Sequence, residues 1–318
     1  MQGKAACILI IAGGSRPDLH ECLLSLCESD YIPSRTVIVD NSPDGLKDSI
    51  ALAFPRVHTL RPAKRLTFAQ AANLGITEAL DKGESLIFLL NDDVTIHSKT
   101  LSLLASAEDS QGPGVFAPEI WPYQGGLKRT RFAIDWEKRL ITRIPVALNG
   151  PLTPIDYAEA SAVLISAAVF EKIGLLDEDF GFYYEDADFS LRAAEAGFPV
   201  LEVEGARAWH KGSVSAGRGL SPFKAYYRAR NTLKFAMKYR HRAHLAAVAA
   251  YHFGGFVLPE MARSASRAVL GSRTDAERFS AIAKGTWALM SGNGRFYLPQ
   301  WSPTVDEEIS RIPLLHQA

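Results

Sequence analysis

Residues 85–93 read Ser-Leu-Ile-Phe-Leu-Leu-Asn-Asp-Asp, an apolar run that ends in three polar residues. A strand buried on both faces has this pattern, and such strands occur in parallel sheets that helices cover on both sides. Similar strands are predicted at 6–12 and 36–39. Helical patterns lie between them, one of them from about residue 44. The sequence therefore predicts a doubly wound, mostly parallel, Rossmann-like α/β sheet.

Polar clusters follow the predicted strands, at Gly13-Gly14-Ser15, Asp40-Asn41-Ser42 and Asn91-Asp92-Asp93. Ligands of such sheets bind beyond the carboxyl ends of the strands. Carboxylates in that position can hold Mg²⁺ or Mn²⁺, which commonly bridges a protein to a diphosphate. Asn and Asp also favour turns and helix caps, so a structural role for residues 91–93 stays open.

A second acidic segment, residues 177–188, places six carboxylates among four aromatic side chains. Aromatic surroundings exclude water and raise the pKa of a carboxylate, which suits a general base. The alternative is that Glu185, Asp186 and Asp188 only stabilise the N-terminus of a helix through its dipole. The two roles are compatible, and the density of carboxylates favours a functional one.

Five motifs in this order resemble the family 2 glycosyltransferases, and within them the rhamnosyltransferase-like branch. They are Val-Asp-Asn-Ser at 39–42, Phe-Ala-Gln-Ala-Ala-Asn-Leu-Gly-Ile at 68–76, Leu-Leu-Asn-Asp-Asp-Val at 89–94, Gly-Leu-Leu-Asp-Glu-Asp-Phe-Gly-Phe-Tyr-Tyr-Glu-Asp-Ala-Asp-Phe-Ser-Leu-Arg at 174–192 and Trp-His-Lys-Gly-Ser at 209–213. The resemblance covers roughly residues 5–215. It implies a GT-A fold and inversion at the anomeric carbon.

The resemblance also implies roles for individual residues. Asp186 would be the catalytic base, supported by Glu185, and Asp93 with His210 would hold Mg²⁺ or Mn²⁺. The residues that would contact the nucleotide-sugar donor are Ala12, Ser15, Asp40, Asn41, Arg65, Phe68, Asn73, Gly75, Asn91 and Asp92. Those that would line the pocket or meet the acceptor are Glu159, Ala160, Tyr184 and Trp209.

Several positions depart from the family pattern. Asn91 stands where the first Asp of the acidic motif is usual, and Asp92 stands where Pro is commoner. Glu159 and Ala160 replace a Ser-Gly pair that lines the donor pocket, adding a charge and a methyl group. These departures leave the identity of the donor and the placement of the acceptor open.

The C-terminal region differs in charge from the rest of the chain. Residues 221–295 carry 13 Lys or Arg against 3 acids, a net +10, in a chain whose formal net charge is zero. We expect a catalytic domain at 1–215 and a basic, mostly helical region at 216–318. The basic helix predicted at 221–239 fits an anionic membrane surface. Alternatively it packs on the catalytic domain, with Leu233, Phe235 and Met237 in the core.

Other features bound the cellular setting. No base-reading motif accompanies the positive charge, so nucleic acid is not expected as a partner. The N-terminus lacks a signal-peptide pattern, and no apolar stretch is expected to reach the roughly 20 residues that span a bilayer. We expect a cytoplasmic protein, peripheral at the inner face of the cell membrane.

The favoured function is an inverting transfer of L-rhamnose from dTDP-rhamnose to a glycan or a polyprenyl-diphosphate-linked glycan. Transfer from another UDP- or GDP-sugar is the first alternative. A nucleotidyltransferase would need a basic, Gly-rich loop after the first strand, and residues 13–16 are too slight for that. A catalytically inactive glycan-binding protein is the third alternative, and the intact Asp93, Glu185 and Asp186 argue against it.

Overall fold

The computed structural model describes residues 6–13, 16–42, 45–46, 54–123, 130–135, 140–145, 150–212, 220–239 and 242–291. The strands are β1 Ala6–Ala12, β2 Arg35–Asp40, β3 Val57–Leu60, β4 Leu86–Asn91, β5 Val94–Ile96, β6 Val115–Pro122, β7 Thr130–Asp135, β8 Leu140–Pro145, β9 Leu152–Pro154, β10 Ala162–Ser166 and β11 Val200–His210. The helices are α1 Arg16–Cys27, α2 Phe68–Asp81, α3 Thr100–Gln111, α4 Ala167–Ile173, α5 Glu185–Glu195, α6 Pro222–Tyr239, α7 Arg242–His252, α8 Leu258–Val269 and α9 Arg273–Met290. A π-helical turn, Phe253–Val257, joins α7 to α8.

The main sheet has the strand order β3-β2-β1-β4-β10-β6-β11-β5, and β9 pairs with β11. Strands β3, β2, β1 and β4 run parallel, and so do β6 and β11. Strand β10 lies antiparallel between β4 and β6. The mostly parallel sheet and the helical C-terminal part are confirmed, and strands β7 and β8 form a separate hairpin.

The central strand β1 is buried along its whole length, as its apolar run predicts. Its alternate side chains enter two cores, one on each face of the sheet. Helix α2 approaches β1 closely at Gly75, where an added Cβ would lie 2.1 Å from Leu9 Cδ1. Gly75 therefore lets helix and sheet pack closely, and its expected contact with the donor stays a prediction.

Helix α2 begins at a capping box formed by Thr67 and Gln70. Strand β5 and helix α3 were not predicted, because their sequences lack a clear alternating or helical apolar pattern. The helix expected from about residue 44 and the donor residue Ser15 fall outside the described residues.

Helix α6 packs on the catalytic part of the chain. Leu233 and Phe235 are buried as the packing alternative expects, but Met237 is 61% exposed and is not a core residue. The cations Lys234 and Lys238 pair with acids of the 177–188 segment rather than facing outward together. Helix α6 therefore does not present Lys234 and Lys238 together on a surface that could meet a membrane.

The expectation about apolar stretches needs correction. Residues 245–269 form one helical stretch that is long and apolar enough to cross a membrane by length and composition alone. The stretch continues past Leu258 because the π-helical turn keeps the chain helical, and Glu260 is the one Asp, Glu, Lys or Arg in residues 245–262. Only 28% of its most apolar part is buried inside the protein.

Candidate active site

A cleft of about 970 Å³ opens at the carboxyl ends of the parallel strands. That volume lies within the range of ordinary ligand sites. The strand ends and adjoining loops contribute Gly13, Asn41, Arg65, Phe68, Asn91, Asp92, Asp93 and His210. The wall on the base side contains Glu159, Ala160, Tyr184, Glu185 and Asp186. The two acidic segments therefore meet in one cavity, as their chemistry requires.

The strand-end wall brings Asp93 and His210 together. Asp93 follows β4 and His210 ends β11, and 3.2 Å separates Asp93 Oδ1 from His210 Nε2. Asp92 instead fastens two strand ends to each other, because its Oδ2 accepts a hydrogen bond from the Gly13 N–H at 2.7 Å. This hydrogen bond gives Asp92 a structural role, which the sequence alone left open.

Asp93 and His210 suit a divalent cation. In the described part of the chain, no three His, Cys, Asp or Glu side chains gather into a complete protein cage for a metal. Mg²⁺ and similar ions usually take one or two protein ligands and complete their shell with phosphate oxygens and water. A carboxylate and an imidazole at the mouth of a cleft fit that mode of binding.

The part of the cleft at the end of β2 is shaped by Asn41. Its side-chain amide donates to the Leu66 carbonyl and accepts from the Leu66 N–H, both at 2.9 Å. This pair holds the loop that carries Arg65 and Phe68 against the end of β2. Asn41, Arg65 and Phe68 all line the cleft.

Three residues that were expected to contact the nucleotide-sugar donor, Ala12, Asp40 and Asn73, make contacts within the protein. Ala12 is buried in β1 beside Asp40. Burial alone would raise the pKa of Asp40, but hydrogen bonds from Ser42, Leu46 and Arg61 hold it below its ordinary value. Asn73 is buried and holds both the N–H and the carbonyl of Leu176. Their direct contact with a donor stays a prediction.

Asp186 and Glu185 form a carboxyl pair at the start of α5. Asp186 accepts hydrogen bonds from the N–H groups of Ala187 at 2.8 Å and Ala160 at 3.4 Å. Burial nevertheless raises the pKa of Asp186 to about 6. Burial and the neighbouring Asp186 charge raise the pKa of Glu185 well above its ordinary value. Burial thus disfavours the ionised form of both carboxyls, and the charge of Asp186 adds to this effect at Glu185.

The turn before α5 has an unusual backbone. Tyr183 and Tyr184 adopt positive φ angles of 64° and 76°, in a region that non-glycine residues rarely occupy. Asn231 on α6 secures this turn by donating from Nδ2 to the carbonyls of Phe180, Phe182 and Tyr183 at 2.8–3.0 Å. The Tyr184 hydroxyl also bonds Thr232 Oγ1 at 2.9 Å. We call Asn231 and these three carbonyls the clamp.

A buried ion network supports the same helix. Asp188 is fully buried, and its carboxylate meets Arg192 Nε at 2.9 Å, Lys238 Nζ at 2.5 Å and the Tyr239 hydroxyl at 2.7 Å. Two of these partners, Lys238 and Tyr239, belong to α6. Helix α5, which carries Asp186, is thus held by α6 at two places. Asn231 holds the turn before the helix, and Lys238 and Tyr239 hold Asp188 in its first turn.

The remaining wall of the cleft is apolar and was not predicted. It contains Phe132 and Ile141 of the β7–β8 hairpin, Tyr157 of the segment between β9 and β10, and Val248, Tyr251 and Phe256 of α7 and its π-helical turn. Arg228 of α6 lies over the Phe256 ring at 4.3 Å. Nothing in the sequence marks these residues, because they meet only when the C-terminal helices fold over the strand ends.

Trp209 is the expected pocket residue that the structure places elsewhere. Neighbouring residues of a strand point to opposite faces of the sheet. His210 faces the cleft, so Trp209 faces the other side, where its ring lies 6.4 Å from the His97 ring.

Comparison with known proteins identifies the family. The model of Glycosyl transferase family 2 matches residues 7–173, just over half of the chain. The chain belongs to glycosyl transferase family 2. Its GT-A-like sheet, with Asp93 inside the matched residues, agrees with this membership.

Two relatives of this family 2 chain are informative. It is 28% identical over 200 residues to a low-salt glycan biosynthesis hexosyltransferase of Haloferax volcanii, a match that covers 61% of this chain and 64% of that protein. It is 26% identical over 212 residues to a dTDP-rhamnosyl transferase of Shigella flexneri, covering 64% of this chain and 70% of that one. The chain thus spans slightly less than two thirds of the first of these relatives.

Among solved structures, a mannosyltransferase from Pyrobaculum calidifontis, in complex with GDP-Man and Mn²⁺, has a TM-score of 0.58 and 15% identity. The alignment covers 92% of the family 2 chain and 89% of that protein. The likeness extends over the C-terminal helices as well as the sheet, and it concerns the fold alone.

Proposed function

We propose that the chain is an inverting glycosyltransferase that moves a sugar from a nucleotide diphosphate donor to a hydroxyl of a glycan acceptor. One observation carries the proposal: Asp93 with His210, and Asp186, line the same cleft. A site for a diphosphate-bound cation and a proton acceptor are the two groups that this displacement needs. The family membership supports the same reaction class.

Asp186 accepts the proton of the acceptor hydroxyl as its oxygen attacks the anomeric carbon. Its raised pKa makes it a stronger base than an ordinary aspartate while it remains ionised at neutral pH. Glu185 lies beside it, where burial and the charge of Asp186 disfavour a second negative charge near the incoming oxygen. Asn41, Arg65 and Phe68 position the nucleotide at the other end of the cleft.

Asp93 and His210 would hold the divalent cation, Mg²⁺ or Mn²⁺. When bound, such an ion neutralises the charge that develops on the departing diphosphate. The solved mannosyltransferase of similar fold was crystallised with Mn²⁺, which supports this assignment.

For the sugar, we propose L-rhamnose from dTDP-rhamnose, supported by the likeness to a dTDP-rhamnosyl transferase. Glu159 and Ala160 line the cleft and would meet the donor sugar or the acceptor. Another UDP- or GDP-sugar is the alternative, favoured by the relative named as a hexosyltransferase. For the acceptor, the apolar wall favours a glycan on a polyprenyl diphosphate.

The test is a thermal-shift screen of dTDP-, UDP- and GDP-sugars with and without Mn²⁺, followed by product analysis with the best donor. A ligand that binds the native state raises the melting temperature. We expect the true donor to do so only with the metal, and Asp93→Asn to weaken donor binding by at least about tenfold. Equal shifts without metal, or unchanged binding by Asp93→Asn, would contradict the metal site.

A further inference from the structure

The stretch formed by α7, the π-helical turn and α8 exposes an apolar face. Exposed residues recur along it every three or four positions, which places them on one side of the helix. We define the apolar face as Ala247, Tyr251, Gly255, Leu258, Ala262, Val269 and the following Leu270. Val269 and Leu270 are 87% and 86% exposed.

The burial of α8 is the reverse of that of an ordinary surface helix. Its buried residues are the polar Glu260 and Ser264, while Leu258 and Val269 point away from the protein. Glu260 is held inside by ion pairs with Arg263 and Arg278. A surface helix normally turns its apolar side inward. The outward-facing apolar side chains of α8 therefore indicate that this helix contacts an apolar environment outside the protein.

From this reversed burial we infer that the apolar face docks onto an anionic lipid surface. Arg263, Arg267 and Arg273 are exposed on α8 or at the start of α9, where anionic headgroups would meet them, although Arg263 also pairs with Glu260 and Arg273 with Glu277. Tyr251 exposes an amphipathic ring of the kind that settles at the boundary between lipid and water. Cations and aromatic residues beside an apolar stripe are the signature of a helix that lies in this boundary.

The helix lies along the surface and does not cross it. Val248, His252 and Phe256, each one position after a residue of the apolar face, lie on the adjoining side of the helix and are buried against the rest of the protein. His252 bonds the Ala229 carbonyl of α6 at 3.2 Å. The buried Glu260–Arg278 pair ties α8 to α9 in the same way. A spanning helix would have to leave all these contacts.

The apolar face also leads into the cleft. Tyr251 and Gly255 belong to both, and the apolar cleft wall continues inward through Val248 and Phe256. An acceptor with an apolar carrier could therefore remain in the lipid while its hydroxyl reaches Asp186. This route rests on the proposed function, whereas the lipid contact itself does not.

The test is flotation of the full chain with vesicles of phosphatidylglycerol and phosphatidylethanolamine, compared with vesicles of phosphatidylcholine alone. We expect binding to the anionic vesicles that weakens as salt rises. The Val269→Asp, Leu270→Asp double variant should lose about tenfold or more of this binding. Ile32→Asp is the matched control, because Ile32 is also 87% exposed but lies in the catalytic part, before β2.

Three results would overturn the inference. The first is a wild-type chain that does not float with the anionic vesicles, and the second is a double variant that floats as well as wild type. The third is a wild-type chain that is oligomeric in gel filtration while the double variant is monomeric, which would mean that the face binds a second copy of the chain. Donor turnover in solution is measured in parallel. If flotation behaves as expected but no donor is turned over, the proposed function fails while the lipid contact stands.

Discussion

The two acidic walls of the cleft are built in different ways. Asp92 and Asp93 stand at the end of a buried strand, and sheet hydrogen bonds set their position. Asp186 stands on a helix that follows a turn of two positive φ angles, and α6 holds that turn from outside. Asp92 and Asp93 lie within the residues that the family model matches, whereas Asp186 lies beyond residue 173. The position of Asp93 thus depends on the sheet, and that of Asp186 on the C-terminal helices.

The largest effect is expected from removing the proton acceptor. Asp186→Asn keeps the shape but has no negative charge, and its single side-chain oxygen can replace only one of the two acceptors, Oδ1 for the Ala187 N–H or Oδ2 for the Ala160 N–H. We expect the turnover number to fall by about 10²–10⁴-fold, the usual range for a general base, while donor binding changes little. Steady-state kinetics and the thermal-shift titration measure the two quantities. Near-normal turnover would remove Asp186 from the role.

The strand-end wall could be predicted from sequence because its signals are local. An apolar run, its polar end and the carboxyl edge of a parallel sheet follow from residues 85–93 alone. The clamp could not be predicted in this way. Asn231 is a single amide in a basic helix, and its carbonyl partners lie 48 to 51 residues earlier in the chain. The same holds for the apolar wall, which no contiguous motif encodes.

Loosening the clamp should give a smaller loss. Asn231→Ala removes the side-chain donor from three carbonyls, of which that of Phe180 keeps the Phe182 N–H, and frees a strained turn close to Asp186. Small misplacements of a catalytic group can cost up to about 100-fold, so we expect the turnover number to fall by about 10- to 100-fold with little change in KM. Unfolding should become easier by about 1–3 kcal/mol.

The control for the clamp is Asn73→Ala. Asn73 is also buried and also holds backbone, that of Leu176, but it is not among the residues that line the cleft, so a contact with the donor, as predicted above, would change KM rather than the turnover number. We expect a comparable loss of stability in urea unfolding and a turnover number within about threefold of wild type. If both variants lost turnover equally, the clamp would be an ordinary structural contact and α6 would have no special part in positioning the base.

The smallest effect is expected from a change of pH, which tests the wall of the cleft that carries Asp186. Asp186 must be ionised to accept a proton, and its pKa is raised to about 6. The rate constant kcat/KM should therefore be about tenfold lower at pH 5 than at pH 7, and Asp186→Asn should lack this limb. A profile that stayed flat down to pH 5 would contradict the raised pKa.

Stability should change with pH in the opposite sense. Because the folded chain binds the Asp186 proton more tightly than the unfolded chain, Asp186 contributes stability at low pH that is lost as pH rises from about 4 to about 6. Asp177 is the contrast: burial would raise its pKa, but hydrogen bonding to Lys238 lowers it overall. Its contribution is present above the ordinary aspartate pKa and is lost as pH falls. Melting temperatures measured from pH 4 to 7 should thus improve most at the upper end for Asp186→Asn and decline there for Asp177→Asn. If both variants changed the melting temperature in the same direction, the folded protein would not raise the pKa of Asp186.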